Sequence, residues 1–240
     1  MDIPGGQLEQ IRTQGAALLD ACAAATVQPG DAGLSRLRQA FDQLIEVMTR
    51  LDADASSGQQ HGADVSEIGA YALQLAEGLA ATAEGLQPQQ HRFEVSGLVV
   101  NLALWIARHG GLIDTLEPVV DALALHANTI RDPRLLESLS EVFRRIVDAA
   151  SPAIRQDLEK FNPGRPWRVL LLNQSIVATR SHNTTLMEQA FALLTENLPD
   201  DAAQFFREGM QQMDALNYPE QVRKVMQKYH RQWTMNRSLH

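Results

Sequence analysis

Three stretches near the start of the chain carry apolar residues at alternating steps of three and four. From Gln7 to Thr26 these are Leu8, Ile11, Leu18, Cys22 and Ala25, with Gly15 in the vacant step. From Asp31 to Leu51 they are Leu34, Leu37, Phe41, Leu44, Met48 and Leu51, and from Asp64 to Leu86 they are Val65, Ile68, Ala72, Leu75, Leu79, Thr82 and Leu86. That spacing forms the heptad seam of helices packed side by side and excludes the strict alternation of a strand. Pro29-Gly30 supplies the turn between the first two helices, with Asp31 as N-cap. The run from Asp52 to Gly62, rich in Asp, Ala, Ser, Gly and Gln, has linker composition, so a mobile loop is expected over 52–63.

After Pro88 the pattern changes. Gln90–His109 carries Val95, Leu98, Val99, Val100, Leu102, Leu104, Trp105 and Ile106, and Pro166–His182 carries Val169-Leu170-Leu171-Leu172 and Ile176-Val177. Both are apolar nearly all round, and such helices must be covered on most sides. Amphipathic helices are expected over Thr115–Ile130, from Asp132, from Ser151, over Asn183–Asn197 and Pro199–Leu216, and from Tyr218-Pro219 to about Trp233. Asp132-Pro133 and Ser151-Pro152 each read as an N-cap followed by proline at the first helical position. The expected fold is all-α: antiparallel helical hairpins stacked as a short α-solenoid, with a heptad-patterned N-terminal helical segment. The expected division is an N-terminal segment 1–87, a helical-repeat core 88–234 and a flexible tail 235–240. Only Phe41 and Tyr71 of the 13 aromatic residues precede residue 90, so the later segment is expected to be the more stable.

A weak internal echo pairs Thr115-Leu116-Glu117, Asp132-Pro133 and Asp148-Ala149 with Leu186-Met187-Glu188, Leu198-Pro199 and Asp214-Ala215. On these residues, about a hundred positions of the chain resemble the HEAT and armadillo class of helical repeats, Leu116–Val147 most closely and Leu186–Leu216 more loosely. The resemblance implies stacked helical hairpins that bind other proteins through a groove or face.

Composition narrows the functional classes. The 240 residues carry a formal net charge of -8, which argues against nucleic acid as a partner because phosphate binding needs a basic surface. The single cysteine excludes a disulfide framework and a multi-cysteine zinc site. No apolar run reaches the roughly 18–20 residues of a membrane span, and the opening residues lack a secretory pattern, so a cytoplasmic protein without membrane contact is expected. Arginine outnumbers lysine 18 to 3, the bias of a GC-rich, bacterial coding sequence. Phosphate-cradling glycine loops, the nucleophile elbow, the zinc-binding helix motif, paired cysteines and the Glu-x-x-His of di-iron bundles are all missing. No catalytic residue, metal or cofactor is therefore expected.

Polar residues that interrupt the apolar helices are the candidates for binding. Asn101 breaks one, Asn173-Gln174-Ser175 the other, and Arg108-His109 and Arg180 with His182 lie at their ends. A polar pocket between helices 90–109 and 166–182, suited to an anion, is one reading. Pairing of the amides with each other or with neighbouring carbonyls, with Arg and His steadying helix C-termini, is the other. Trp167, flanked by Arg165 and Arg168, is either an exposed anchor or a loop-packing side chain. The last helix should dock through Val222, Val225, Met226, Tyr229 and Trp233 and present a basic rim of Arg223, Lys224, Lys228 and Arg231. That rim either meets an acidic surface or stays solvated. The expected function is a non-catalytic protein–protein interaction module, an adaptor or assembly factor, compatible with a homodimer. The alternative is a small-molecule-binding or catalytic helical domain.

Overall fold

A computed structural model of the protein describes residues 3–25, 32–56, 62–84 and 88–235. Among the described residues every regular element is helical: α1 (Leu8–Ala25), α2 (Ala32–Ser56), α3 (Gly62–Glu84), α4 (Pro88–Arg108), α5 (Glu117–Thr129), α6 (Pro133–Ala149), α7 (Pro152–Arg155), α8 (Pro166–Arg180), α9 (Thr184–Asn197), α10 (Pro199–Ala215) and α11 (Glu220–Met235). Five of them, α4, α6, α7, α8 and α10, begin on a proline, whose fixed φ suits the first turn and whose missing N–H has no helical partner there. Side chains cap the starts locally. Asp132 Oδ1 accepts from Arg134 N (2.8 Å), and Asn183 Oδ1 accepts from Thr185 N (3.0 Å) and Leu186 N (3.2 Å). The expected turn at Pro29-Gly30-Asp31 lies outside the described residues.

The chain forms two compact units. The first is Met1–Thr129 with Arg145–Glu159, and the second is Ile130–Arg144 with Lys160–His240. The continuous helix α6 therefore contributes to both.

In the first unit, consecutive helices α1 to α5 pack on one another, and α1 also packs on α3 and α4. The heptad seams are buried at Ile11, Leu18, Phe41, Leu44, Met48, Val65, Ala72 and Leu79. Gly15 fills its step for a steric reason: a Cβ there would run into the Phe41 ring. Helix α4 is buried continuously from Ser96 to Ile106, as its all-round apolar sequence requires. Its surface covers α1 and α3, so the chain does not divide at residue 87. Gly110, at φ +72°, ends α4 with Gly111 N bonded to Ile106 O (3.0 Å) and Gly110 N to Ala107 O (3.4 Å), the Schellman pattern that satisfies helix-end carbonyls. An isolated parallel bridge between Ile113 and Ala150 attaches the returning segment, through Ile113 N to Ala149 O (2.8 Å) and Ser151 N to Ile113 O (3.1 Å).

The expected loop over 52–63 is corrected at both ends. Residues 52–56 continue α2, Gly62 and Ala63 open α3, and 57–61 lie outside the described residues. Asp and Ala at 52–55 are compatible with a last helical turn. Asp52 also has a tertiary partner that composition does not reveal.

In the second unit, α8 packs on α9, and α9, α10 and α11 pack on each other. Its core joins Met187, Phe191, Leu194, Phe206, Met213, Val222 and Met226, with Phe205, Val225 and Trp233 partly buried against it. The last helix thus docks through the expected apolar positions. Among the described residues no helix is long and apolar enough to cross a membrane.

Candidate functional site

In the first unit, the polar residues of α4 hold neighbouring chain in place. Asn101 is 1% exposed; its Oδ1 accepts from Gly6 N (2.8 Å) and its Nδ2 donates to Gln14 Oε1 (2.9 Å). Arg108 donates to Gly5 O (2.7 Å), so α4 pins residues 5–6 at two points. Gly6 is needed there, since it sits at φ +69° and a Cβ would come within 2.9 Å of backbone at Leu104 and Trp105. Asp52 is the second hub. Its Oδ1 accepts from Trp105 Nε1 (2.7 Å) and lies 2.9 Å from His109 Nε2, in contact but not aligned as a hydrogen bond. The Trp105 and His109 rings pack 4.8 Å apart, one turn from each other on α4. The amide of Asn101 is thus satisfied inside its own unit, and mutual pairing with Asn173 does not account for it.

Beside Asn101, α1, α4 and His126 of α5 line a cavity of about 390 Å³ with Gln14, Leu18, Phe93 and Gly97. His126 is 1% exposed and its Nε2 lies 3.3 Å from Ser96 Oγ. The Ser96 hydroxyl already donates to Phe93 O (2.8 Å), so toward His126 it accepts. Nε2 therefore carries the proton, and Nδ1, which has no hydrogen-bond partner, is a bare acceptor. Burial lowers the His126 pKa below the usual histidine value; burial also lowers that of His109, with Asp52 opposing and Arg108 reinforcing. Below about pH 6.5 the unfolded chain takes up protons that these buried imidazoles resist. Stability should therefore be fully present above that pH and decline as pH falls through it. Urea midpoints at pH 7.5 and 5.5 should show this loss, and His126→Gln should shrink the difference. An equal difference in the variant would exclude His126 as a source.

The second unit has its own cavity, of about 260 Å³, lined by Arg131, Pro133, Leu136, Arg180, His182 and the corner Leu216–Pro219. Arg180 donates to Ile130 O (2.7 Å), which orients its guanidinium. Burial and the like charge of Arg131 lower its pKa, and Tyr218 opposes them. Tyr218 meets His182 edge to face with ring centroids 5.5 Å apart, and burial raises its phenol pKa. His182 (φ +61°) and Asn217 (φ +50°) both stand in the left-handed region just past helix ends. Asparagine and histidine are both among the non-glycine residues enriched in that region.

The other sequence candidates take structural places. Trp167 is 4% exposed, so it packs inward and is not an exposed anchor. Its neighbour Arg168 pairs with Asp201 (2.7 Å) and donates to Pro163 O (2.8 Å). Asn173 is half-buried, with Gln174 and Ser175 buried beside it. The basic rim is largely compensated on its own unit. Arg223 pairs with Asp214 (3.2 Å), Lys224 with Glu220 (2.7 Å) and Lys228 with Glu188 (2.9 Å), while Arg231 is exposed. Hydrogen bonding from Lys228 holds the Glu188 carboxyl below its usual pKa, and burial with that carboxylate pushes Tyr229 up to about 12.

The exposed apolar residues lie elsewhere. Phe161 is fully exposed, at 102%, and Leu158, three residues earlier, is 80% exposed. The backbone around Phe161 is nevertheless fixed. Arg165, itself buried, donates to Lys160 O (3.2 Å) and Asn162 O (3.1 Å), and Gly164 N donates to Asn162 Oδ1 (2.9 Å). Among the described residues no cluster of His, Cys, Asp or Glu is arranged to hold a metal ion. No family model, curated protein or solved structure matches the chain.

Sequence reasoning assigned no binding or bonding role to Asp52, His126, Arg131, Tyr218 or Phe161. Arg131 stands two residues before Pro133, which opens α6, and Tyr218 stands directly before Pro219, which precedes α11, so chain corners were the available signal. Asp52 and His126 gain their roles from partners 53 and 30 residues away, and no local pattern marks them.

Proposed function

We propose that the protein is a non-catalytic protein-binding module that engages its partner through the segment carrying Phe161. The observation that carries this reading is a fully exposed phenylalanine on a backbone tied down on both sides. A large aromatic held out in advance contributes apolar area to an interface without the entropy loss of ordering its loop. At the level of architecture, the resemblance to HEAT and armadillo repeats points the same way, and α9 and α10 pack side by side as a repeat hairpin would. The partner is a protein with an apolar pocket, inside the cell.

Phe161→Ser tests the reading. Phe161 buries nothing in the protein itself, so the unfolding free energy from urea titration should stay within about 0.5 kcal/mol of the parent. Affinity capture from the native cell, compared by mass spectrometry between parent and variant, should lose a specific protein, and Phe161→Trp should keep it. An unchanged set of captured proteins would overturn the proposal.

A further inference from the structure

We infer that the cavity of the second unit, between Arg131, Arg180, His182 and Tyr218, is a binding site for a small phosphate monoester. The chemistry of the lining decides the ligand. Two arginines, a histidine and a tyrosine line about 260 Å³, and no acidic residue lines the space. Arg131 and Arg180 are close enough for like-charge repulsion to be felt at Arg180, so an anion between them relieves a repulsion already present. The bond from Arg180 to Ile130 O fixes one guanidinium before any ligand arrives. The edge-to-face contact with Tyr218 orients His182 in the same way.

The arrangement favours a tetrahedral oxyanion over a carboxylate. Donors come from chain corners at Arg131, Arg180–His182 and Tyr218, which suits three terminal oxygens better than the two of a carboxylate. The volume exceeds that of phosphate alone, and Pro133, Leu136 and Leu216 supply an apolar wall for a small organic group. Phosphate on the donors with its ester group against the wall uses the whole cavity. This site is independent of the Phe161 segment, and its loss would leave the protein-binding proposal standing.

Isothermal titration of the full chain at low salt, with inorganic phosphate, phenyl phosphate and phenol as probes, tests the inference. Phenyl phosphate should bind more tightly than inorganic phosphate, phenol should not bind, and the His182 imidazole NMR signals should move on titration. Arg131→Gln and Arg180→Gln should each weaken phenyl phosphate by about tenfold or more, the range for losing a charge-assisted hydrogen bond. Arg207→Gln, an exposed charge on α10, should have no effect. Arg180 also supports Ile130, so Arg131→Gln, at an exposed side chain, serves as the variant free of folding effects. Absence of any His182 shift at millimolar phosphate, or equal weakening by Arg207→Gln, would overturn the site.

Discussion

Trp105→Ala should destabilise the first unit by about 3–5 kcal/mol, the range for emptying a buried aromatic site. Trp105 is fully buried near the C-terminal end of the buried α4 run, and its indole N–H is a donor to Asp52. Trp105→Phe separates the two contributions. It keeps most of the volume and removes the N–H, so it should cost about 1–3 kcal/mol for the buried hydrogen bond. Urea unfolding followed by circular dichroism gives the totals, and amide exchange in α4 localises the loss. Equal stability of the Ala and Phe variants would mean that packing contributes little at this position.

Phe206→Ala should have a comparable effect on the second unit, again about 3–5 kcal/mol. The ring is fully buried and meets Phe191, Phe205 and Tyr229 at centroid distances of 5.1, 5.3 and 5.3 Å. Tilted and edge-to-face pairs of this kind add about 0.5–1.5 kcal/mol beyond buried area. Phe205→Ala is the internal comparison, because Phe205 touches Phe191 and Phe206 but is only partly buried. Its loss should be distinctly smaller. If Phe205→Ala matched Phe206→Ala, the aromatic cluster and not burial would govern stability here.

Helices were legible in the sequence wherever their signal was local. The 3,4 spacing located α1, α2 and α3, and Asp132-Pro133 and Ser151-Pro152 located the starts of α6 and α7 to the residue. The all-round apolar run of α4 announced its burial. What could not be read was any role set by distant chain. Asp52 sits in a stretch of linker composition and becomes a hydrogen-bond acceptor only because α4 places Trp105 beside it. Trp167 beside two arginines resembles a surface anchor, yet it packs inward while Arg168 turns to Asp201. For the basic rim of the last helix, Glu220 lies one turn from Lys224 and was legible locally, whereas the pairing of Arg223 with Asp214 and of Lys228 with Glu188 depends on other helices. For Arg180 and His182 the sequence offered two readings, an anion pocket or stabilisation of a helix C-terminus. Their fellow lining residues, Arg131 and Tyr218, came from two other chain corners.

The shared helix α6 has a consequence for the order in which the protein is made. The first unit is complete only once Glu159 has been synthesised, and the first portion of the second unit, Ile130–Arg144, precedes it in the chain. That portion holds Leu136, Leu139 and Phe143, all buried in the finished protein. At about 5–20 residues per second, the remainder of the second unit follows several seconds later. For that interval the nascent chain shows an apolar helix face before its own covering exists, the kind of surface that chaperones at the ribosome exit hold. Cutting the chain after residue 159 would make the separation permanent, leaving Ile130–Arg144 on the first piece without the rest of its unit.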